Sequence, residues 1–389
     1  MNRGALKGVR VVEVAEMVAG PYCAKLLADL GAEVIKVERP QGDPARRRGP
    51  FPGDIPHPEK SGLFFYLNTS KKGVTLDLDD PLGRELFLRL LEGTHLLVYD
   101  LAPAVKEKLS LGYDQLQKAF PGLVVLSITP FGDSGPYRDY RAYPLNVFHA
   151  SGEGYMTPGA TPFPERPPVK VGRWVGEYST GIVAVGAAMA ALFWQRRTGQ
   201  GQHIDFSRQE ALLFQNFWEL MRYLWFGELV SRATAGFTYA GPMKCRDGYV
   251  EFAPVVRRFW DSFFDLLGSV DGRFRDRDFL EAEDRRPLAA QVVAGLTREQ
   301  LYALARKGRV PLAPYYRLDE VAASPQLEAR GFFMPTELCR LPSVPYQFSG
   351  TPARPGLAPF LGEHNEEVFC SRLGLSRREL LALREAGIV

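Results

Sequence analysis

The sequence predicts an α/β protein with a doubly wound, Rossmann-like sheet in a large domain and a second, smaller domain in the middle of the chain. A strand, a helix and another strand follow one another within residues 8–37, and short apolar segments alternate with helical ones up to residue 206. The sequence then changes character after Trp225. A chain of 389 residues also exceeds what one hydrophobic core usually supports, so two domains are expected.

The first βαβ unit lies at the N-terminus. Residues 8–13 (GVRVVE) have the composition of a buried strand, and Pro21 opens a helix, because proline in a first helical turn loses no hydrogen bond. Gly31 ends this helix, and residues 32–37 (AEVIKV) form the next strand. Strand, helix and strand in this order indicate a parallel sheet with helices on both faces.

The same alternation continues along the chain. Asp80 and Pro81 begin a helix that runs to Leu91, and residues 176–196 form a long helix whose small residues suit close packing. Further strands are predicted at residues 73–76, 95–99, 123–128 and 203–206. This pattern is typical of a doubly wound fold, although the sequence alone leaves the strand order open.

Domain limits follow from the change in composition. Aromatic clusters and arginine-rich helical stretches occupy the middle of the chain, and a proline-rich extended segment then leads to a capped terminal helix at residues 376–387. We therefore predict a first part of the large domain at 1–225, a small domain at 226–325, and a return segment at 326–389 that completes the large domain.

Composition excludes several classes of function. The four cysteines and five histidines are dispersed without C-x-x-C or H-E-x-x-H spacing, so no metal site is expected. A net charge of +3 is too small to indicate nucleic acid. No apolar run approaches the roughly 18 to 20 residues that span a bilayer, and the N-terminus lacks a signal-peptide core. We expect a cytoplasmic protein that enters no membrane.

The ends of the first two strands are candidate ligand sites. Ligands of parallel α/β sheets sit beyond the carboxyl ends of the strands. Small residues in the turn 15–21 would let a ligand approach the backbone, and the helix that follows favours anions. Arg39 ends the second strand, where it could pair with a phosphate, although a solvated charged loop explains it equally well.

Motifs along nearly the whole chain resemble those of the family III CoA-transferases, a group that includes alpha-methylacyl-CoA racemases and carnitine CoA-transferase. The N-terminal motif is LKGVRVVEVAEMVAGPYCAKLLADLGAEVIKVERPQGD at residues 6–43. Further motifs are LNTSKKGVTLDL, SITPFGDSGPY, GEYSTGIVAVGAAMAALFWQRRTGQGQHIDFS, KCRDGYVEF, SPQLEARGFF and the closing APFLGEHNEEVFCSRLGLSRRELLALREAGIV. They occur in the family's order.

The resemblance implies a Rossmann-like large domain built from both termini, a smaller middle α+β domain, and an interlocked homodimer. It implies that CoA moves from an acyl-CoA to a carboxylic acid through a carboxylate on the enzyme, which carries first the acyl group and then CoA. Coenzyme A would be a substrate, with no tightly bound cofactor and no metal.

The family's nucleophile is an aspartate in the motif A-D-x-x-T-G, and this chain has G-E-Y-S-T-G at residues 176–181. The resemblance therefore places Glu177, one methylene longer, in the catalytic position. Three interpretations stay open: Glu177 is the nucleophile, it is an acid or base in a related acyl-CoA isomerisation or racemisation, or the protein is a non-catalytic paralogue that only binds CoA.

Other positions depart from the family pattern. Racemases carry a histidine at the position of Tyr143 and an aspartate at that of Pro144, so the two-base proton exchange of a racemase is not expected. Transferases often carry a glutamine at the position of Val18 and a glycine-rich flap in the middle domain. The corresponding segment here, FTYAGPMK, contains one glycine.

The resemblance also assigns the CoA contacts. Arg39, Lys108 and Arg141 are the cations expected near phosphates, and Asp100 and Leu101 replace an Asn-Phe pair of the family. The complete set of predicted CoA-binding residues is Val18, Ala19 (through its backbone), Arg39, Leu76, Asp100, Leu101, Lys108 and Arg141.

Overall fold

A six-stranded parallel sheet forms the centre of the larger of two units into which the chain divides. The computed structural model describes residues 4–389 except 160, 162, 234–240, 254–255, 277–284, 337–338 and 354. The larger unit comprises residues 1–158, 165–230 and 332–389, and the smaller one comprises residues 159–164 and 231–331.

The sheet has the strand order β3-β2-β1-β4-β5-β6, with every neighbouring pair parallel. Its strands are β1 (Arg10–Val14), β2 (Glu33–Glu38), β3 (Lys72–Thr75), β4 (Leu96–Tyr99), β5 (Val124–Thr129) and β6 (His203–Ser207). The predicted doubly wound sheet is therefore confirmed. The order reverses between β1 and β4, and such a switch point opens a crevice at the carboxyl ends of the strands.

Helices cover both faces of this sheet. Those of the larger unit are α1 (Ala19–Asp29), α2 (Gly62–Leu67), α3 (Pro81–Leu91), α4 (Pro103–Leu109), α5 (Tyr113–Ala119), α6 (Pro144–Ala150), α7 (Val175–Thr198), α8 (Arg208–Gln215), α9 (Phe217–Phe226) and, at the C-terminus, α15 (Arg377–Glu385). Helix α1 begins two residues before Pro21, the predicted start. Its first-turn N–H groups need no helical partner, so Pro21 is tolerated just inside the helix.

Successive side chains of each strand point to opposite faces of the sheet, so the larger unit has a hydrophobic core on each face. Val12 and Ile35 lie in one core and Val11 and Val34 in the other, each at most 1% exposed. The C-terminal segment completes the first core, where Phe369 is fully buried. A sheet that is buried on both faces requires strands that are apolar along nearly their whole length.

Helix α7 packs closely against α1. A Cβ on Gly181 would lie 2.9 Å from the carbonyl oxygen of Ala19, so only glycine permits this approach. By length and composition alone, α7 could span a membrane, and it is the one such helix found among the described residues. The expectation that no segment approaches that length therefore needs correction. Buried alanines at 184, 188 and 191 show that α7 serves as a core helix of this unit.

The smaller unit is an α+β structure. Its antiparallel sheet has the order β7 (Gly241–Cys245), β8 (Gly248–Phe252) and β9 (Leu312–Pro314). The helices described there are α10 (Arg257–Gly268), α11 (Arg285–Ala294), α12 (Arg298–Gly308), α13 (Leu318–Ala322) and α14 (Pro325–Ala329). Phe252 and Phe263 stack at a centroid distance of 4.1 Å in its core. A short hairpin, β10 (Phe333–Pro335) and β11 (Arg340–Pro342), follows in the larger unit.

Candidate active site

A cavity of about 180 Å³ opens at the carboxyl ends of the strands around the switch point, and we call it the sheet-end cleft. It is lined by Val14, Ala15, Glu16, Lys36, Val37, Glu38, Arg39, Asp43, Leu76, Asp77, Leu78, Asp79, Asp100, Leu101, Ala102, Val105 and Leu109. The position is the one that doubly wound sheets use for ligands.

Four of the residues predicted from the resemblance line this cleft: Arg39, Leu76, Asp100 and Leu101. Lys108 stands at the rim, where its Nζ lies 2.6 Å from Oδ1 of the lining residue Asp79.

Three predicted residues lie elsewhere. Val18 is buried in an apolar cluster, and Ala19 begins α1 with its carbonyl facing α7. Arg141 lies in the exposed loop before α6 and does not line the cleft.

Acidic side chains outnumber basic ones in the lining, which the sequence did not reveal. Most of them are already paired. Arg39 Nε lies 3.3 Å from Glu16 Oε1, and Arg46 Nε lies 2.7 Å from Glu38 Oε2. Such pairing leaves the cleft less negative than its composition suggests, and the two exposed cations, Arg39 and Lys108, can exchange an acid partner for a phosphate.

Besides Asp77, the lining acid that forms no salt bridge with any described residue is Asp100. Its Oδ2 accepts a hydrogen bond of 2.9 Å from the backbone N–H of Glu16. Burial of its carboxyl group, with a smaller effect from the charge of Glu16, raises the pKa of Asp100 from 3.8 to about 7. Near neutral pH this side chain is therefore partly protonated, and in that form it is a neutral polar group like the asparagine expected there.

A buried ion network supports the floor of the cleft. Lys36 Nζ lies 3.1 Å from Glu13 Oε1 and 2.9 Å from Asp43 Oδ2, and Lys71 Nζ lies 2.6 Å from Glu13 Oε2. Burial lowers the pKa of Lys71 to about 8, although Glu13 opposes this effect. Removing one member would leave an unpaired buried charge, so the network fixes the loop that carries Asp43 beneath the cleft.

Glu177 lies in the first turn of α7 and is 4% exposed. Arg208 Nη1 is 3.2 Å from its Oε2. Burial raises the pKa of Glu177, while Arg208 and, more weakly, Lys170 lower it. A carboxylate that is desolvated but paired with a cation can be ionised at neutral pH while being poorly hydrated, which favours nucleophilic attack.

Arg208 has capacity for a further partner. Its Nε and Nη2 atoms are buried and form no hydrogen bond within the part of the chain that the structure describes. Arg208 is the first residue of α8, directly after β6 ends at Ser207. Unpaired guanidinium N–H groups beside a buried carboxylate are suited to hold an oxyanion.

A second cavity, of about 780 Å³, adjoins the first turn of α7, and we call it the tyrosine cleft. Its lining consists of Gly49, Pro50, Gly62, Leu63, Tyr66, Tyr143, Pro144, Leu145, Lys170, Arg173, Trp174 and Tyr178. No carboxylate is among these lining residues.

The turn between β1 and α1 links the two clefts. Glu16 lines the sheet-end cleft, and Val18, two residues later, belongs to the apolar cluster that includes Trp174 and Tyr178 of the tyrosine cleft. A ligand that follows this turn would reach both cavities.

Sequence reasoning missed several of these residues. Arg208 could have been found because it immediately follows a predicted parallel strand, the position from which side chains reach ligands. Lys170 and Arg173 lie in an irregular segment without a motif. In the segment 237–244, which contains one glycine, residues 237–240 lie outside the described residues. Within the described residues, no group of three or more His, Cys, Asp or Glu side chains could hold a metal ion.

Comparison with known proteins assigns the chain to a family. The model of CoA-transferase family III matches residues 6–365. A Thauera aromatica protein named succinyl-CoA:(R)-benzylsuccinate CoA-transferase subunit BbsE is 31% identical, over 90% of each chain. A Streptomyces avermitilis protein named formyl-CoA:oxalate CoA-transferase is 29% identical, over 99% of each chain.

The fold agrees with this assignment. The crystal structure of a CAIB/BAIF family protein from Brucella suis has a TM-score of 0.81 and 29% identity, covering 97% of this chain and 99% of that one. The family predicted from the motifs is therefore confirmed. This chain belongs to CoA-transferase family III.

Proposed function

We propose that this protein transfers coenzyme A from an acyl-CoA to a carboxylic acid, with Glu177 as the nucleophile. The observation that carries the proposal is the buried Glu177 carboxylate in the first turn of α7, paired with Arg208. Membership of the family and the names of its relatives support the reaction class.

The reaction proceeds by successive acyl transfers. A Glu177 oxygen attacks the thioester carbonyl of the donor, the C–S bond breaks, and CoA leaves as the thiolate. This thiolate attacks the Glu177 carbonyl carbon of the mixed anhydride, which releases the donor acid as its carboxylate and leaves a thioester on Glu177. The acceptor carboxylate and the CoA thiolate then repeat the two steps in reverse order, so Glu177 is regenerated and no proton is consumed.

Arg208 has two roles in this proposal. It holds Glu177 ionised before attack, since its charge lowers the pKa of that carboxyl group. Once Glu177 is acylated, its negative charge is lost and all the guanidinium N–H groups become available to the oxyanion of each tetrahedral intermediate.

The CoA moiety is assigned to the sheet-end cleft and the acyl end to α7. Arg39 and Lys108 would bind phosphates after releasing Glu16 and Asp79, while Leu76 and Leu101 would contact apolar parts of the nucleotide. Val18 and the Ala19 backbone would border the path between the clefts, and Arg141 would have to approach from its exposed loop. CoA is a substrate in this scheme and no tightly bound cofactor is invoked.

The enzyme is proposed to act as an interlocked homodimer in the cytoplasm. Apolar side chains on α7, α8 and α9 support an extensive partner surface: Phe193 is 66% exposed, Phe214 76% and Trp225 72%. Light scattering coupled to size-exclusion chromatography would measure the mass, and a monomer at micromolar concentration would contradict this assembly.

Trapping tests the covalent step. Incubation with acyl-CoA followed by hydroxylamine should convert Glu177 into a hydroxamate detectable by peptide mass spectrometry, and Glu177→Gln should abolish both the adduct and the exchange. Unchanged exchange in Glu177→Gln would exclude this nucleophile. Deuterium wash-in at the acyl α-carbon without CoA exchange would instead favour an isomerase, and tight CoA binding without turnover a binding protein.

A further inference from the structure

The tyrosine cleft has a composition that selects among carboxylic acids. We propose that it binds an acid that carries both an aromatic group and a second carboxylate, with the first carboxylate directed to Glu177. This inference rests on the proposed CoA transfer and specifies its acid substrate. A volume of about 780 Å³ lies within the range of roughly 300 to 1,000 Å³ found for ligands of such size.

The wall of the cleft is aromatic and held in place by ring contacts. Tyr178 packs edge-to-face on Tyr22 at a centroid distance of 4.9 Å, and Tyr66 lies 6.2 Å from Tyr178. Leu63, which is 7% exposed, and Trp174 complete the apolar surface. An aromatic substituent would gain burial and further edge-to-face contacts here, whereas a short aliphatic diacid would leave these rings facing water.

Two cations distinguish this cleft from a purely apolar pocket. Lys170 and Arg173 both line it, and neither forms a salt bridge with any residue that the structure describes. Lys170 Nζ donates a hydrogen bond of 2.9 Å to the Val171 carbonyl and another to the Arg173 carbonyl, so its ammonium is held in place without being neutralised. An anionic group of the substrate would supply the missing charge partner.

The backbone conformation of Arg173 indicates that this cation is held in position at the wall of the cleft. Arg173 has φ of 58°, a conformation that costs energy for a non-glycine residue, and it lies two residues before α7 begins. Lys170 is also close enough to influence the pKa of Glu177. Bound with one carboxylate at Glu177 and the other at these cations, a diacid would be oriented along the aromatic wall.

Four matched acids separate the two requirements. Butyrate has neither feature, succinate has the second carboxylate, 3-phenylbutyrate has the aromatic ring, and phenylsuccinate has both. With one acyl-CoA donor, kcat/KM for phenylsuccinate should exceed that for succinate and that for 3-phenylbutyrate by about tenfold or more.

Variants test which residues cause each preference. Arg173→Gln should reduce the preference for phenylsuccinate over 3-phenylbutyrate about tenfold. Tyr66→Leu should reduce the preference for phenylsuccinate over succinate. If Tyr66→Leu fails to fold, the preference for phenylsuccinate over 3-phenylbutyrate in Arg173→Gln still tests the role of the charge. Arg378→Gln, on the exposed face of α15, is the matched control and should alter neither ratio.

Direct binding separates failure of this inference from failure of the proposed function. Calorimetry with the free acids and CoA measures affinity without turnover. The predicted order of affinities without any CoA exchange would support the assignment of the cleft and refute the transfer reaction. Exchange in which succinate or butyrate equals phenylsuccinate would overturn the inference. So would an Arg173→Gln variant that loses CoA affinity but keeps its acid ratios, because the cations would then serve a phosphate of CoA.

Discussion

Replacing Arg208 with methionine tests how Glu177 is kept reactive. Methionine has a similar length but no charge, so Glu177 would lose the guanidinium 3.2 Å from its carboxylate. The side chains of Arg208 and Glu177 are 16% and 6% exposed, so solvent screens the pair only weakly. A partly buried ion pair of this kind contributes about 1.5 to 3 kcal/mol, the range found for interactions with a charged group.

That energy sets the expected change in rate. Losing about 1.5 to 3 kcal/mol alters the ratio of ionised to protonated Glu177 by a factor of about 10 to 150. Burial already raises the pKa of this carboxyl group, and the loss of Arg208 raises it further. Only the carboxylate attacks the thioester, so activity should increase with pH up to a plateau, and Arg208→Met should move this increase to higher pH. Lys170 remains and limits the change.

The assay is the rate of CoA exchange between a labelled acid and its thioester from pH 5 to 9. Arg208→Lys keeps the charge and should displace the profile less than Arg208→Met. Thermal unfolding checks that the fold persists, which is expected because Glu177 can take up a proton once its cation is lost and so avoids an unpaired buried charge. A profile of Arg208→Met that coincides with wild type would refute the role given to this ion pair.

Three more changes have distinct outcomes. Glu177→Asp shortens the nucleophile by a methylene and should lower the exchange rate about a hundredfold, whereas a rate at or above wild type would show that the site is not adapted to glutamate. Burial raises the pKa of Asp100 to about 7, so ionisation of this side chain destabilises the fold by an amount that is near zero below about pH 4, grows between about pH 4 and pH 7, and is constant at higher pH. In urea unfolding, Asp100→Asn should therefore be more stable than wild type at pH 8 by at most about 4 kcal/mol, and a difference independent of pH would contradict this. Gly181→Ala would place a Cβ 2.9 Å from the Ala19 carbonyl oxygen and should destabilise the fold by about 1 to 3 kcal/mol. Gly186→Ala, in open space on the same helix, should stabilise the fold by about 1 kcal/mol. Equal effects of the two variants in urea unfolding would show that α1 and α7 are not packed so closely.

Much of the fold followed from local sequence patterns. The first βαβ unit, the long helix α7 and the strand β6 were predicted within a few residues of their observed limits. Helices α6 and α8 were not predicted, because they are only seven and eight residues long and give too few turns for a clear periodicity. The predicted limits of the small domain, 226 and 325, stay predictions.

The site was predictable only where a motif identifies a position. The G-E-Y-S-T-G motif located Glu177, and the strand end located Arg39, but neither revealed Arg208 or the tyrosine cleft. The acids that pair with the predicted cations, Glu16 and Asp79, were also missed. Pairing depends on which side chains meet in space, and no local pattern encodes that.

By itself, the sequence determined the fold class, the family and the position of the proposed nucleophile, since apolar periodicity and motifs are properties of short stretches of chain. Tertiary structure alone decided the strand order, the pKa of Asp100 and the ion-pair partner of Glu177. Burial raises the pKa of Asp100, whereas the hydrogen bond from the backbone N–H of Glu16, 84 residues away, lowers it. Electrostatic effects of this kind depend on distance and solvent exclusion, which only the folded chain supplies.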